Sequence, residues 1–266
     1  MIFLLFPLAL TASFWLWYQL WSPRHIPGIT STRPLLLGHR GVRGSQLDNS
    51  RAAFQEAFEA GLDGIECDVQ LTRDGQRILQ HDFKLVDGRS IRTLTRHDIQ
   101  QVDSHVISLE TLLELAKKYP ETLLNLEIKL PFSADTWCYQ WWGSRGLESR
   151  LVNLIKQHGL ADRVLVSSFH PLPLARIRLV ATQIRTALLT YKKIPWWLAA
   201  LLHVDALHPH HSSIDETVMI RARKHTMMVN SWTVNDANEV AKLMTYAVDG
   251  LVADDPEALK NAASRH

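Results

Sequence analysis

Two acidic residues, Glu66 and Asp68, stand in a stretch that otherwise has the composition of a buried β-strand, GIECDVQL. Side chains alternate between the two faces of a strand, so both acids point to one face while Ile65, Cys67 and Val69 point to the other. Two ionised carboxylates this close repel each other, and burial costs several kcal/mol per ion unless a cation or strong donors compensate. The pattern therefore indicates a site that holds positive charge.

A second strand-like stretch, NLEIK, repeats this arrangement. Glu127 and Lys129 share one of its faces, and Leu126 and Ile128 share the other. If the two strands are neighbours, the three carboxylates meet, with no thiolate beside them. Three carboxylates form a ligand set for Mg²⁺ or Ca²⁺, which water or substrate oxygens would complete. The alternative is that the acids form buried salt bridges with Arg40 or Lys129.

Two histidines stand where they can act beside such an ion. His39 and Arg40 lie in GHRG at the end of the first predicted strand, and His81 lies at the end of a predicted hairpin. An imidazole can take or give a proton near neutral pH, and Arg40 and Lys129 are cationic donors suited to a phosphate. A metal, a phosphate clamp and an acid-base pair together describe phosphodiester cleavage, and we expect Asp82 to orient His81 or to cap the following turn.

These residues must be positioned by a parallel sheet, because strand-length apolar runs alternate with helical patterns along the chain. The predicted strands are Leu35–Gly38, Gly64–Val69, Leu123–Lys129, Val164–Ser168, Thr186–Leu189, Val204–Leu207, Met228–Trp232 and Gly250–Ala253. The predicted helices are Ser50–Ala60, Leu109–Lys118, Ser149–His158, Pro173–Val180, Ile214–Lys224 and Asn235–Tyr246. The eight predicted strands favour an α/β fold of the closed (β/α)8 TIM-barrel type, and a doubly wound open sheet is the alternative.

One further strand-like segment, Arg77–Gln80, is not among the eight predicted barrel strands. The dipeptide Asp74-Gly75 before it is typical of tight hairpin turns. We therefore expect a small hairpin off the second strand that brings His81 back toward the acids.

The N-terminus differs from the rest of the chain, because residues 2–21 carry no charged side chain. That length is sufficient to cross a bilayer, and the tryptophans at its end resemble interfacial anchors. Basic residues follow the segment and none precedes it, which favours a cytoplasmic C-terminal domain. We expect a membrane-associated, single-pass protein with an anchor helix over residues 1–22, a linker over 23–33 and a catalytic barrel over 34–266; a core helix is the alternative.

Composition limits the other functional classes. The chain has 29 Lys+Arg and 27 Asp+Glu, so no overall basic field suggests a nucleic-acid partner. Cys67 and Cys138 are the only cysteines, too few for a disulfide framework or a cysteine-based zinc site. The oligomeric state stays open.

An ordered set of motifs resembles one known family. The stretches LLLGHRG, DNSRAAFQEAFEAGLDGIECDVQLTRDGQRILQHD, LEIK, SSF, SWTVND and DGLVADDP, between about Pro34 and Pro256, are similar to the signature of the glycerophosphodiester phosphodiesterases. The resemblance implies a TIM barrel that hydrolyses a glycerol-linked phosphodiester to an alcohol and glycerol 3-phosphate, or its acylated analogue. By position it also implies roles for seven residues. The expected acid-base pair is His39 and His81, the metal ligands are Glu66, Asp68 and Glu127, and the phosphate ligands are Arg40 and Lys129.

The chain departs from the family pattern before its first helix. It has Asp48-Asn49-Ser50 where the family usually has Glu-Asn-Thr. The acid is thereby one methylene shorter, which leaves its role open. We expect Asn49 and Ser50 to cap the helix.

The substrate is open between two classes. Trp141-Trp142 and Trp196-Trp197 follow predicted strand ends, where they either form an apolar rim at the active site or cover helices or a neighbouring subunit. A lipid-facing rim favours lysophospholipase D activity on lysophospholipids over hydrolysis of water-soluble diesters. A third possibility is a non-catalytic barrel that only binds phospholipid headgroups.

Two aromatic residues at predicted strand ends, Phe169 and Trp232, are expected to form a wall for the glycerol or its substituent, with simple core filling as the alternative. The stretch HVDALHPHHSSI invites a zinc hypothesis through its four histidines, His203, His208, His210 and His211. No acid or thiol pattern completes a zinc set, so we do not expect one.

Overall fold

The computed structural model describes residues 13, 15–19, 21–26, 33–43, 46–132, 146–255 and 260. The strands within them are β1 Leu35–Gly38, β2 Gly64–Leu71, β3 Arg77–Leu79, β4 Leu123–Ile128, β5 Val164–Ser168, β6 Arg185–Thr190, β7 Ala206–Pro209, β8 Met228–Ser231 and β9 Gly250–Ala253. They form one sheet in the order β1-β9-β8-β7-β6-β5-β4-β2-β3, and a further pairing of β1 with β2 closes it. All pairings are parallel except that of β2 with β3. The closed barrel with a hairpin off β2 confirms the predicted fold, and the closing pairing excludes an open sheet.

Helices connect the strands on the outside of the barrel. Those within the described residues that bear on the site or its surroundings are α1 Arg51–Glu59, α2 Arg96–Val102, α3 Leu109–Ala116, α4 Leu147–Gln157, α5 Pro171–Val180, α6 Trp196–Leu202, α7 Glu216–Lys224 and α8 Ala237–Thr245. Several begin at a side chain that accepts a bond from the first turn, such as Ser50 for α1 and Asp215 for α7. Each such cap typically stabilises a helix by about 0.5–2 kcal/mol.

Two helices, α2 and α6, have no counterpart among the predicted ones. Each has seven residues, which is too short to give a clear helical period. The predicted strand Val204–Leu207 begins two residues later than expected, at Ala206. Element types were therefore more predictable than their ends.

The barrel interior is apolar at the end where the strands begin. Leu35, Leu165, Ala206 and Met228, each first or second in its strand, belong to one buried cluster. Ile26, from the chain before β1, joins them at 4% exposure. The inward-facing polar residues consequently lie toward the carboxyl ends of the strands, where barrel active sites form.

The expected single-pass membrane anchor is corrected by the structure. No helix among the described residues is both long and apolar enough to cross a bilayer, so the membrane-associated placement was wrong and the cytoplasmic placement drawn from it loses its basis. Residues 1–12, 14 and 20 of the expected anchor lie outside the described residues.

Two of the tryptophans interpreted as interfacial anchors contact the barrel. Trp21 is 8% exposed within the main core, and its indole N–H donates to the carbonyl of Val204 at 2.9 Å. Trp17 stacks on His203 with ring centroids 3.9 Å apart. Trp21 is thus buried by protein, whereas Trp17 contacts the barrel and stays 41% exposed. The domain boundaries at residues 22 and 33 stay a prediction.

Candidate active site

Three buried carboxylates meet at the carboxyl end of the barrel. Glu66 and Asp68 lie on β2, Glu127 lies on β4, and the strand register pairs Asp68 with Glu127. One oxygen from each residue lies within 4.8 Å of the others. The alternation of side chains that the sequence predicted thus brings these three acids to one point.

The negative charge of the acids is only partly compensated by protein groups. Burial raises the pKa of Glu66 well above its ordinary range, and repulsion from Asp68 and Glu127 raises it further. Burial also raises the pKa of Glu127 to about 7, with repulsion from Asp68 as the next cause. Oε1 of Glu66 is buried without a hydrogen-bond partner among the described residues. A cluster of oxygens in this state fits a bound hard cation such as Mg²⁺ or Ca²⁺.

Two cations flank the carboxylates. Nε of Arg40 lies 3.2 Å from Oδ2 of Asp68, and the Arg40 backbone N–H donates to Oε2 of Glu66 at 3.1 Å. Nζ of Lys129 lies 3.1 Å from Oε1 of Glu127 and 3.6 Å from Oδ1 of Asp68. Burial by itself lowers the pKa of Lys129, but attraction to Glu127 and Asp68 outweighs it, so that pKa is raised. Salt bridges are therefore present, yet they leave Oε1 of Glu66 unpaired.

His39 is held by an aspartate that the sequence analysis did not single out. Its Nδ1 lies 2.6 Å from Oδ1 of Asp254, and its Nε2 faces Glu66 at 3.9 Å. Burial raises the pKa of Asp254, but hydrogen bonds from His39 and Asn235 outweigh it and hold that pKa well below its usual range. An anionic Asp254 places the imidazole proton on Nδ1 and leaves Nε2 free toward the acids. The signal was available, since Asp254 shares the inward parity of Val252 in DGLVADDP.

His81 is delivered by the hairpin, as predicted. The Gln70 side-chain amide donates to the carbonyls of Gln80, His81 and Asp82 at 2.7, 3.2 and 2.8 Å, which ties the end of the hairpin to β2. Nδ1 of His81 lies 2.8 Å from Oδ1 of Asp82, the expected orienting contact. Burial lowers the pKa of His81, although the nearby Asp68 opposes this.

Asn49 has a role that the sequence analysis missed. Ser50 is the helix cap and accepts from the Ala53 N–H, whereas Asn49 contacts Asp68. Its Nδ2 donates to Oδ2 of Asp68 at 2.9 Å, and its Oδ1 accepts from the Asp68 backbone N–H at 3.0 Å. Its φ is 56°, in the left-handed region that asparagine tolerates better than most residues. Asn49 therefore fixes the position of one carboxylate.

Asp48, the shortened acid before the first helix, contacts two arginines. It accepts from Nη1 of Arg40 at 2.9 Å and from Nε of Arg43 at 3.0 Å. Arg43 in turn reaches Asp254 at 3.2 Å. Asp48 and Asp68 thus hold different nitrogens of the Arg40 guanidinium.

A cavity of about 130 Å³ opens over these groups. Its lining includes the predicted residues His39, Arg40, Glu66, His81, Glu127, Lys129, Phe169 and Trp232. Asp68 is 1% exposed and lies behind them. The remaining predicted residues therefore share one solvent-connected space.

The far wall of the cavity is aromatic. Phe169 and Trp232 meet edge to face with ring centroids 5.3 Å apart, and the Trp232 indole N–H donates to the carbonyl of His208 at 2.7 Å. His208 is fully buried, its Nε2 lies 3.0 Å from Nδ2 of Asn230, and burial lowers its pKa to about 3. The backbone carbonyl of His208 thus holds the Trp232 ring, while the His208 imidazole is neutral and contacts Asn230.

The four histidines of HVDALHPHHSSI do not form a metal cluster. The only metal-type group among the described residues is that of Glu66, Asp68 and Glu127. His203 lies beside the N-terminal segment, with Nε2 2.8 Å from the Trp17 carbonyl. The zinc hypothesis therefore finds no support in the described part of the chain.

The tryptophan pairs expected at the rim give no evidence of a lipid-facing lip. Trp141 and Trp142 lie outside the described residues. Trp196 lies under the guanidinium of Arg221, 4.6 Å from the ring centroid, and packs against the core. Trp197 is 65% exposed, and neither it nor Trp196 is among the described residues that line the cavity.

Comparison with known proteins agrees with this geometry. Residues 39–258 match the model of the glycerophosphoryl diester phosphodiesterase family. A glycerophosphodiester phosphodiesterase of Caldanaerobacter subterraneus is 29% identical over 86% of this chain and 97% of its own length. One from Bacillus altitudinis is 30% identical over 84% of this chain and 95% of its own length.

Solved structures show the same fold. A phosphodiesterase of Oleispira antarctica, in complex with the product sn-glycerol-3-phosphate, has a TM-score of 0.77 at 23% identity and covers 87% of this chain and 97% of its own. A glycerophosphodiester phosphodiesterase of Parabacteroides distasonis has a TM-score of 0.76 at 23% identity and covers 88% of this chain and 98% of its own.

Proposed function

The chain belongs to the glycerophosphoryl diester phosphodiesterase family and is a phosphoric diester hydrolase, and we propose that it hydrolyses glycerophosphodiesters with a bound divalent cation. The products would be an alcohol and glycerol 3-phosphate. The observation that carries the proposal is the cluster of Glu66, Asp68 and Glu127 within 4.8 Å, lying in the same cavity as two histidines.

The three carboxylates would hold Mg²⁺ or Ca²⁺, the ions that prefer an all-oxygen site. The fit is supported by the raised pKa of Glu66 and by its unpartnered Oε1, both of which a cation would relieve. When bound, such an ion supplies Lewis-acid stabilisation of charge on the phosphate oxygens. Asp68, held in position by Asn49, is the most deeply buried of the three acids.

The cationic side chains would bind the phosphate. The guanidinium of Arg40 is oriented by contacts with both Asp48 and Asp68. Lys129 lines the cavity beside Glu127 and keeps its charge. The oriented guanidinium of Arg40 and the ammonium group of Lys129 line the same cavity, and together they suit a phosphodiester anion.

The two histidines would transfer protons. His39 keeps Nε2 free toward the cavity because Asp254 holds its Nδ1. His81 likewise has Nδ1 against Asp82, and burial disfavours its charged form. One imidazole would take the proton of the attacking water or glycerol hydroxyl, and the other would protonate the leaving alkoxide.

A headgroup-binding protein without activity would need the phosphate ligands alone. This chain has in addition two oriented imidazoles at the same cavity, which binding does not require. Replacing either His39 or His81 by alanine is expected to lower kcat by about 10²–10⁴-fold, the usual contribution of a positioned acid or base. Near wild-type turnover in both variants would contradict the mechanism.

The metal is tested by a pair of adjacent substitutions. Glu66→Gln removes a carboxylate from the cluster and is expected to lower both the affinity for Mg²⁺ or Ca²⁺ and the rate of glycerophosphocholine hydrolysis. Cys67→Ala is the matched control, because its side chain lies on the opposite face of β2 within the outer core. It should lower stability and keep most of the specific activity.

The measurement is choline release by the chelator-treated protein, titrated with each ion. Full activity in excess chelator would refute the metal proposal while leaving the family assignment in place. Equal metal dependence of Glu66→Gln and the wild type would refute the ligand assignment.

A further inference from the structure

One polar side chain of the active-site cavity has no part in the proposed mechanism. His208 lies on β7, two residues after the inward-facing Ala206, and shares its direction into the barrel. It is 1% exposed and contributes to the lining of the cavity. Burial of an imidazole costs free energy that burial of a leucine would not, so we expect both of its ring nitrogens to have a hydrogen-bonding role.

The neighbouring Asn230 determines where the His208 ring carries its proton. Nδ2 of Asn230 lies 3.0 Å from Nε2 of His208, and an amide nitrogen can only donate, so Nε2 accepts. The opposite orientation of the amide is disfavoured, because a Cβ on Gly250 would lie 2.5 Å from Oδ1 of Asn230, and an N–H2 group in that place would be buried against carbon without an acceptor. The neutral ring therefore carries its proton on Nδ1. Nδ1 has no hydrogen-bond partner among the described residues, and its N–H is the donor that remains for a ligand.

His208 lies across the barrel from the carboxylates. In the closed barrel, β1, β9 and β8 lie between β2 and β7 on one side, and β4, β5 and β6 lie between them on the other. The strand of Glu66 and Asp68 is therefore opposite the strand of His208. The cavity connects the two sides, since Glu66 and His208 both line it. A phosphodiester with its phosphate at the carboxylates can thus reach His208 with one of its two substituents.

The charges of the cavity indicate which substituent this is. On the carboxylate side the described lining is rich in ionisable groups, namely His39, Arg40, Glu66, His81, Glu127 and Lys129. Around His208 the described lining consists of the uncharged Phe169, Leu189, Trp232, Thr233 and Val252, and burial lowers the pKa of His208 to about 3, so that its ring is neutral near pH 7. A cationic headgroup would find no carboxylate there and would face an N–H donor, whereas a glycerol hydroxyl is an uncharged acceptor.

We propose that Nδ1–H of His208 donates a hydrogen bond to a hydroxyl group of the substrate's glycerol and so selects diesters that carry this hydroxyl. The proposal rests on the proposed phosphodiesterase function and adds a specificity-determining residue to it. An analogue without the hydroxyl leaves the buried donor unpaired, which is why such a group discriminates strongly. Asn230 is a positioning residue, because it holds the His208 tautomer that can donate.

The test compares ligands that differ only in their hydroxyl groups. Glycerol 3-phosphate, its 1-deoxy and 2-deoxy analogues and propyl phosphate are measured as competitive inhibitors of glycerophosphocholine hydrolysis in the presence of Mg²⁺ or Ca²⁺. Inhibition is the suitable measurement because a missing hydroxyl then affects binding alone, whether or not that hydroxyl attacks phosphorus during catalysis. We expect the wild type to bind glycerol 3-phosphate at least about tenfold more tightly than one of the two deoxy analogues.

Two substitutions of His208 form a matched pair, because each keeps a buried amide but replaces a different ring nitrogen. The amide nitrogen of asparagine can take the place of Nδ1, and that of glutamine can take the place of Nε2. His208→Gln should therefore lower the preference for glycerol 3-phosphate over that deoxy analogue by about tenfold, whereas His208→Asn should keep most of it. Propyl phosphate should bind His208→Gln at least as tightly as the wild type, because no donor is then left unpaired.

Equal binding of all four phosphates by the wild type would overturn the role of His208 alone, and so would a preference that His208→Gln keeps in full. Equal weakening of all four ligands in His208→Gln would show that the residue only supports the structure, which also contradicts the proposal. Failure of the wild type to hydrolyse glycerophosphocholine with either ion would instead refute the proposed function, and the assignment of His208 with it.

Discussion

Replacing Asn49 by glycine isolates one buried side chain that positions a carboxylate. Asn49 is 1% exposed and makes two hydrogen bonds to Asp68, one to the carboxylate and one from the backbone N–H. Glycine adopts the positive φ of this position freely, so the change removes the side chain without adding backbone strain.

The expected loss of stability follows from these two bonds. A hydrogen bond to a charged group contributes about 1.5–3 kcal/mol, and a buried N–H left without a partner costs about 1–3 kcal/mol. Because water can enter the space left by the side chain, we expect Asn49→Gly to lower the free energy of unfolding by about 2–5 kcal/mol. Asn49→Ala should cost about 1 kcal/mol more, since alanine is strained in the left-handed region.

The adjacent Ser50→Ala is the control. It removes the cap of α1 and should cost about 0.5–2 kcal/mol, without any effect on the carboxylates. Urea unfolding of the three variants gives the stabilities, and titration with Mg²⁺ or Ca²⁺ gives the metal affinity. Asn49→Gly should bind metal more weakly than the wild type, whereas Ser50→Ala should not.

Equal losses of stability in Asn49→Gly and Ser50→Ala, with metal affinity unchanged in both, would refute this reasoning. Asn49 would then be only part of the helix start, as the sequence first suggested.

Two further predictions concern the stability of the fold. His208 has a folded-state pKa of about 3 against an ordinary 6.5, so below pH 6.5 the unfolded chain binds a proton that the folded chain does not, and stability falls as pH falls. Lowering the pH from 7 to 5 should therefore lower the free energy of unfolding of the wild type by about 2 kcal/mol more than that of His208→Gln. Urea unfolding of both proteins at both pH values measures this difference. Equal pH dependence of the two proteins would show that His208 is protonated in the folded state. Trp21→Ala should lower the free energy of unfolding by about 3–5 kcal/mol because the indole is buried in the main core, while Trp197→Ala, on an exposed residue, should change it by less than about 0.5 kcal/mol. Equal effects of the two tryptophan changes would mean that the N-terminal segment does not pack on the barrel in solution.

The barrel and most of the residues around its cavity could be predicted from local patterns in the sequence. Alternation along GIECDVQL and NLEIK placed Glu66, Asp68 and Glu127 on the inward face, and strand register then brings them together. Asp74-Gly75 predicted the hairpin that carries His81. These inferences succeeded because side-chain direction in a strand and chain reversal at a turn are local properties.

The residues that support those groups from distant parts of the chain become visible only in the folded structure. Asp254 reaches His39 across 215 positions of sequence, and Asn49 serves Asp68 rather than its own helix. The apolar N-terminal stretch has the length and the terminal tryptophans of a membrane anchor, yet Trp21 is buried in the core of the barrel. The composition of a segment shows that its apolar surface must be buried, but it does not show whether lipid or protein buries it. A protein surface that can do so exists only after the β/α units have closed into a barrel.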